Sequence, residues 1–300
     1  SGKISSSPEI TKIVKLDTVT FEQDGQTIIS KWNENESDYK INLTIKNESE
    51  ILGKYSSENN KLVLENHLNS GEQATVTSFV EKNIKEQIVD DIKVYYINSQ
   101  INKITIEQIE TPTNLNIQKI NDNSIKLIWE NKNFEYKIYQ NGELLNIMPT
   151  SFEQDSTNYY QITLDNLVEA GDYQFDIVAT KANSNNNFYL DSNIAQFKKV
   201  IKFEQIQAGY DSDASKIVYE ALQNQINANL NLIVKTDITT SITEKIVNLS
   251  GNIDITLTGA GEHFVEIYIS KNEDENLYLS SDVQKIKIII LTHPNVCFII

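Results

Sequence analysis

Residues 125–145 read IKLIWENKNFEYKIYQNGELL, and the spacing inside this stretch decides the fold class. Ile125, Leu127 and Trp129 occupy every second position, the period of a strand with one buried face. Tyr136-Lys137-Ile138 begins seven residues after Trp129 and starts a second strand. Asn141-Gly142 then precedes Glu143-Leu144-Leu145. Both central residues of a type I′ turn need positive φ, so Asn-Gly at this point predicts a tight hairpin. Downstream, Tyr160, Ile162 and Leu164 alternate, and after Leu167 and Gly171 so do Tyr173, Phe175, Ile177 and Ala179. Tyr189-Leu190-Asp191-Ser192 leads into Ile194 and Phe197. Strand follows strand at turn-length intervals, which predicts an all-β antiparallel sandwich.

The pattern recurs on both sides. In the first third, Ile28-x-Ser30-x-Trp32 is followed seven residues on by Tyr39-Lys40-Ile41. Leu62-Val63-Leu64, Leu68 and Gly71 then precede Ala74, Val76, Ser78 and Val80, and Ile88-Val89-Asp90-Asp91 is matched to Tyr189-Leu190-Asp191-Ser192. In the last third, Ile253, Ile255 and Leu257 precede Gly261; His263, Val265, Ile267 and Ile269 follow, then Tyr278-Leu279-Ser280-Ser281, Val283 and Ile286. Leu64, Leu164 and Leu257 are spaced by 100 and 93 residues, about one sandwich each. The expectation is three tandem immunoglobulin-like sandwiches in an elongated array, spanning 8–110, 111–200 and a divergent 201–292. Segment 203–250 is read as strands at Lys216–Leu222 and Asn229–Lys235, although 217–226 also fits a short amphipathic helix. Pro8 and Pro112 stand where first strands begin, as suits edge strands. Pro294 lies 182 residues beyond Pro112, so 293–300 reads either as a closing strand or as the start of a fourth module.

Segment 111–200 resembles a fibronectin type III domain at Pro112-x-x-Leu115, at Trp129 and Tyr136 of consecutive strands, and at Leu167-x3-Gly171-x-Tyr173. The resemblance implies a tyrosine corner, in which the Tyr173 hydroxyl bonds back to the chain and pins the crossover between sheets. Trp32 and Tyr39 match Trp129 and Tyr136, and the five residues Trp32, Tyr39, Trp129, Tyr136 and Tyr173 are the expected structural core. Ala74 and His263 occupy the corner position in the flanking repeats. Other immunoglobulin-like sandwiches share this pattern. Modules of this kind act as spacers, adhesion units and accessory domains of surface proteins or of secreted glycan-degrading enzymes.

The net charge is −16, and all 26 basic residues are lysine. Acidic excess without a guanidinium argues against nucleic acid or an anionic membrane as partner. The single cysteine, Cys297, excludes an intrachain disulfide and a C-x-x-C metal site. No apolar run approaches the roughly 18 residues of a spanning helix. The abundance of Ile, Asn and Lys suggests an AT-rich, bacterial source, and the expected location is extracellular or at the cell surface.

Catalytic motifs are missing: there is no G-x-S-x-G, no H-E-x-x-H and no phosphate-cradling glycine loop. His67, His263 and His293 are far apart in sequence, with His263 on the inward register of a strand. No catalytic residue, cofactor or resident metal is expected. Asp211 and Asp213 offer hard oxygen ligands near a module junction, so Ca2+ is the one ion considered, although the D-x-D-x-D-G spacing is absent. Asn35, Asn42, Asn47 and Asn248 stand in N-x-S/T sequons. Tyr95, Tyr159, Phe188 and Tyr210 lie off the core register, and loops Lys181–Phe188 and Glu81–Gln87 join corresponding strands at one end of their sandwiches. These are the expected contact surfaces for a protein or glycan ligand. The chain is therefore read as a monomeric, non-catalytic structural or adhesive spacer, the alternative being accessory modules of a secreted glycan-degrading enzyme.

Overall fold

The hairpin turns follow the local chemistry. Asn141 and Gly142 take φ of 50° and 85°, joining strand Glu135–Gln140 to Glu143–Leu145 with Gln140 opposite Glu143. Gly171, at φ 147°, opens the short strand Gly171–Tyr173 in a conformation that a side chain would strain. The computed structural model describes residues 11–32, 38–59, 61–65, 68–90, 92–220, 231–236, 242–245, 250–255, 257, 259–271, 275–291 and 297–299. Every regular element among them is a β-strand.

The chain forms two compact units. The first comprises Ser1–Pro112, Asn133–Lys137 and Val178–Ile194. Its three-stranded sheet (Thr20–Asp24, Thr27–Lys31, Lys61–Leu64) faces a five-stranded sheet ordered Asn187–Leu190, Asn102–Gln108, Gln73–Lys82, Tyr39–Lys46, Ile51–Ser57. Period-two alternation puts Ile41, Leu43 and Ile45 of one strand, Ala74, Val76 and Val80 of the next, and Ile104 and Ile106 of a third into one core with Ile28, Leu62 and Leu64. Trp32 and Tyr39 lie in that core with ring centroids 4.6 Å apart. A third sheet joins Thr11–Lys15, Ile92–Ile97 and Glu86–Val89.

The second unit comprises Thr113–Lys132, Ile138–Ile177 and Ala195–Ile300. One of its sheets is ordered Asn116–Asn121, Ser124–Glu130, Thr157–Leu164, Thr150–Gln154. Trp129 is fully buried there, edge-on to Phe197 and tilted against Tyr160. Farther along, Gln207–Asp211, Lys216–Glu220 and Ser250–Asp254 form one layer. The facing layer holds Ile242–Lys245, Asn231–Thr236, Gly261–Ser270, Gln284–Ile290 and Cys297–Ile299. Ile217 and Ile253 of the first layer share a core with Val265, Ile267, Ile269 and Ile288 of the second.

The strand reading holds at Lys216–Glu220, where Ile217 turns inward and Val218 outward; 221–226, the rest of the stretch that also fits a helix, lies outside the described residues. The next expected strand appears as Asn231–Thr236. Tyr136 departs from its expected place: it is half-buried near the start of its strand, and Ile138, two residues on, carries the burial. Pro8, Asn35, His67, Asn248, His293 and Pro294 lie outside the described residues.

Candidate functional site

The most distinctive local chemistry is one arrangement built three times. In the strand Gln73–Lys82, the Val80 amide donates to Ser99 Oγ at 2.8 Å, and the Ser99 amide returns a bond to the Val80 carbonyl at 2.9 Å. Ala179 and Ser192 make the same pair of bonds at 2.8 and 2.9 Å, and Ile269 and Ser281 make it at 2.9 and 3.0 Å. Each serine hydroxyl then donates to the carbonyl of the next residue: Gln100, Asn193 or Asp282. Two residues beyond each strand amide stands a lysine, and its ammonium lies over a tyrosine ring. The pairs are Lys82 on Tyr96 (3.8 Å), Lys181 on Tyr189 (4.0 Å) and Lys271 on Tyr278 (4.3 Å). A cation over a ring face is held by the ring quadrupole, all the more where burial excludes water.

The tyrosine segments share a third feature: each runs parallel to an earlier strand. Ile92–Ile97 pairs with Thr11–Lys15, Asn187–Leu190 with Asn102–Gln108, and Leu277–Leu279 with Val200–Lys202. One further amide closes each ladder: Leu16 donates to the Ile97 carbonyl, Ile109 to Leu190 and Phe203 to Leu279, at 3.1, 3.1 and 3.2 Å. The repeat therefore reads Tyr96-Ile97-Asn98-Ser99, Tyr189-Leu190-Asp191-Ser192 and Tyr278-Leu279-Ser280-Ser281. This corrects the match of Ile88–Asp91 to Tyr189–Ser192. Ile88-Val89 belongs to a hairpin with Ile92–Ile97, and the tyrosine and serine that carry the chemistry stand eight residues later. A lysine ahead of Tyr-(Ile/Leu)-x-Ser was legible in the sequence as a signal.

Two of the three corners also share a bond. The Tyr173 hydroxyl donates to the Glu169 carbonyl, four residues back, at 2.6 Å, which is the expected tyrosine corner. Burial, then the charge of Glu169, raises the Tyr173 pKa and keeps the donor protonated. His263 places Nε2 3.2 Å from the Gly259 carbonyl, again four residues back, so the buried histidine takes over the tyrosine's part. Ala74 has no group for such a bond.

Around Lys202 the second unit gathers polar contacts. Its buried ammonium donates to the Asp122 carbonyl (2.9 Å) and Asn123 Oδ1 (2.8 Å) and pairs with Asp282 at 3.2 Å. Asp122 Oδ1 accepts from the Ser280 amide at 2.9 Å and pairs with Lys119. Burial acts to raise the Asp122 pKa, but Lys119 and the Ser280 amide outweigh it, and the net shift is downward.

Of the two expected contact loops, Lys181–Phe188 borders a cleft of about 330 Å3 lined by Gln23, Gly25, Lys181, Asn183, Tyr189 and Asp191. Asn183 Nδ2 donates to Gln23 Oε1 at 2.7 Å, and the Tyr189 amide donates to Asn183 Oδ1 at 2.7 Å. Asp191 Oδ2 pairs with Lys137 at 3.0 Å, while its carbonyl accepts from Gln26 and Gln108. The cleft wall is thus amide-rich and preorganised, and Lys181 covers one ring face of Tyr189. The other loop, Glu81–Gln87, contains Lys82, which is buried between Tyr39 and Tyr96, and carries an exposed Ile84.

The remaining aromatic candidates are half-buried. Tyr159 stacks on Phe152, Phe188 packs against the first core and Tyr210 against the last, and Lys93 lies 5.3 Å from the Tyr95 ring. Asp211 Oδ1 accepts from the amides of Asp213 and Ala214, an Asx turn closing the hairpin between Gln207–Asp211 and Lys216–Glu220. Among the described residues, no three His, Cys, Asp or Glu side chains converge as a metal site. No helix among them is long and apolar enough to cross a membrane.

No protein-family model matches the sequence, and no curated protein matches it. Among solved structures, the FN1–FN3 domains of chicken CNTN1 align with 91% of this chain and 98% of their own, at 9% identity and a TM-score of 0.22. A likeness at that TM-score carries no argument. The fold rests on the chain's own features: two-layer β packing and a tyrosine corner are those of immunoglobulin-like sandwiches.

Proposed function

We propose that this chain is a non-catalytic structural spacer of a cell-surface or secreted protein, which presents its loops to a protein or glycan ligand. The observation that carries this reading is an arrangement of lysine, tyrosine and serine built three times, joined in two of the three to the edge of an earlier sheet. In each, the three side chains fix a tyrosine-bearing strand, and Asn187–Leu190 and Leu277–Leu279 also complete the edge of an earlier sheet. Edge pairing removes the unsatisfied amides that invite aggregation. The spacing chemistry is repeated while loop chemistry differs from repeat to repeat, as expected where the array is common and the contacts are individual. Solution scattering tests it. A compact 300-residue domain has a radius of gyration of about 19 Å. A monomeric spacer gives a value well above that, and a value close to it overturns the reading.

The amide-lined cleft beside Lys181 favours a second reading, accessory modules of a glycan-degrading enzyme. Amides and a tyrosine at an open cleft suit sugar hydroxyls. Binding on a glycan array that is lost with Asn183→Ala supports it; an empty array removes it. Calcium at Asp211 and Asp213 is tested by melting with and without chelator, where equal midpoints end the idea.

A further inference from the structure

The three parallel pairings put Ile13, Ile106 and Val200 at one register position, and Ile97, Leu190 and Leu279 at another. Position 15 corresponds in the same way to Gln108 and Lys202. In the second and third cases these side chains are core: Ile106 is 3% exposed, Val200 0%, Leu190 1% and Leu279 0%. In the first they face solvent, with Ile13 65% and Ile97 50% exposed. Lys15 is also exposed, where Gln108 and Lys202 are buried. Tyr95, Ile88 (exposed) and Thr11 lie on the same face, because they pair with these residues or alternate with them along their strands. The opposite face of Ile92–Ile97 carries Val94, which is buried, and Tyr96, which packs against the first core.

What covers this position elsewhere is visible. Asn102–Gln108 pairs on its other edge, antiparallel, with Gln73–Lys82, and Val200–Lys202 pairs likewise with Gly171–Tyr173. In each, a glycine with positive φ stands opposite the position of Lys15: Gly71 donates its amide to the Gln108 carbonyl, and Gly171 faces Lys202. Gly261 stands in the same relation to Ile290. Thr11–Lys15 has its parallel partner, and its other edge carries no strand among the described residues.

We propose that the face formed by Ile13, Lys15, Tyr95 and Ile97, with the open edge of Thr11–Lys15, is a docking surface for one further sandwich of this same repeat type. That sandwich lays an antiparallel strand along Thr11–Lys15, sets a glycine opposite Lys15, and covers Ile13 and Ile97 with its core. The occupant is specified by the two internal precedents, in which equivalent residues close such a core. The inference rests on strand register and burial, not on the spacer reading, and scattering results leave it untouched.

The test supplies such a sandwich. Residues 11–103 of the protein are placed directly before Thr11 of the full chain, so that Thr11–Lys15 follows them as Ile104–Gln108 does naturally. A second version carries Thr11→Ile, restoring the isoleucine of position 104, so that a polar residue at that place does not decide the outcome. In the 300-residue chain, Ile13→Lys leaves the melting midpoint unchanged, because the side chain is already in water. In the extended chain the added segment folds, the amides of Thr11–Lys15 gain hydrogen-exchange protection, and Ile13→Lys lowers the midpoint of that segment by at least about 10 °C. An added segment that stays unfolded in both versions overturns the proposal, as does an Ile13→Lys effect that is the same in both chains. A 300-residue chain of doubled mass that Ile13→Lys returns to monomer assigns the face to a second copy, and overturns it too.

Discussion

Replacing Ser281 by alanine removes one oxygen and leaves the Ile269 amide, inside a fully buried position, without its acceptor. The hydroxyl's own donation goes to the Asp282 carbonyl, on an exposed residue, where water replaces it. The cost is therefore dominated by the orphaned amide, about 2 kcal/mol within the roughly 1–3 kcal/mol range for a buried unsatisfied donor. For a sandwich of near one hundred residues this lowers the midpoint by roughly 8–16 °C. Ser192→Ala orphans the Ala179 amide in the same geometry and is expected to behave alike. The assay is thermal melting together with hydrogen exchange at the Ile269 or Ala179 amide, with Ser151→Ala at an exposed position as the comparison. The serine substitutions speed exchange at the orphaned amide, and Ser151→Ala does not. Midpoints for Ser281→Ala and Ser192→Ala within about 3 °C of the parent, the span of an ordinary surface change, refute the reasoning.

Trp129→Ala empties a fully buried site between Phe197 and Tyr160 and is expected to cost about 3–5 kcal/mol, read as a lowered denaturant midpoint for the second unit. Tyr173→Phe keeps the ring and loses the bond to the Glu169 carbonyl, for a loss of about 1 kcal/mol by the same measurement. Asp122 has a folded-state pKa below its ordinary value, so it contributes stability above its unfolded pKa of about 4 and loses it as pH falls through the folded value. Asp122→Asn is accordingly less stable than the parent at neutral pH, and their acid-unfolding curves converge below about pH 4; curves that stay parallel down to the lowest pH contradict the assignment.

Much of this fold is legible in the sequence because strands with one wet face must alternate. Ile125, Leu127 and Trp129 announce a strand in which all three side chains are buried, and Asn141-Gly142 announces a turn that two positive φ angles confirm. Leu167-x3-Gly171-x-Tyr173 located the corner bond itself. The alignment of the first repeat went astray for a physical reason. Ile88-Val89 is apolar and followed by two aspartates, so it imitates Leu190-Asp191, but apolar side chains on an exposed hairpin obey no inward register. The triad of lysine, tyrosine and serine does obey one, because a cation over a ring and a hydroxyl at a strand amide fix distance and direction. Tyr136 is half-buried where Ile138 is buried, because alternation gives the face of a strand and not how far along it the core extends. The polar cleft beside Lys181 lay beyond sequence altogether: Gln23 and Asn183 are 160 residues apart and meet only through the fold.

The parallel ladders tie together segments far apart in sequence. Asn187–Leu190 sits on the edge of Asn102–Gln108, and Leu277–Leu279 on that of Val200–Lys202. The dependence is mutual: among the described residues Asn187–Leu190 and Leu277–Leu279 are end strands whose one strand neighbour is that earlier strand, so loosening either member of a pair frees the edge of the other.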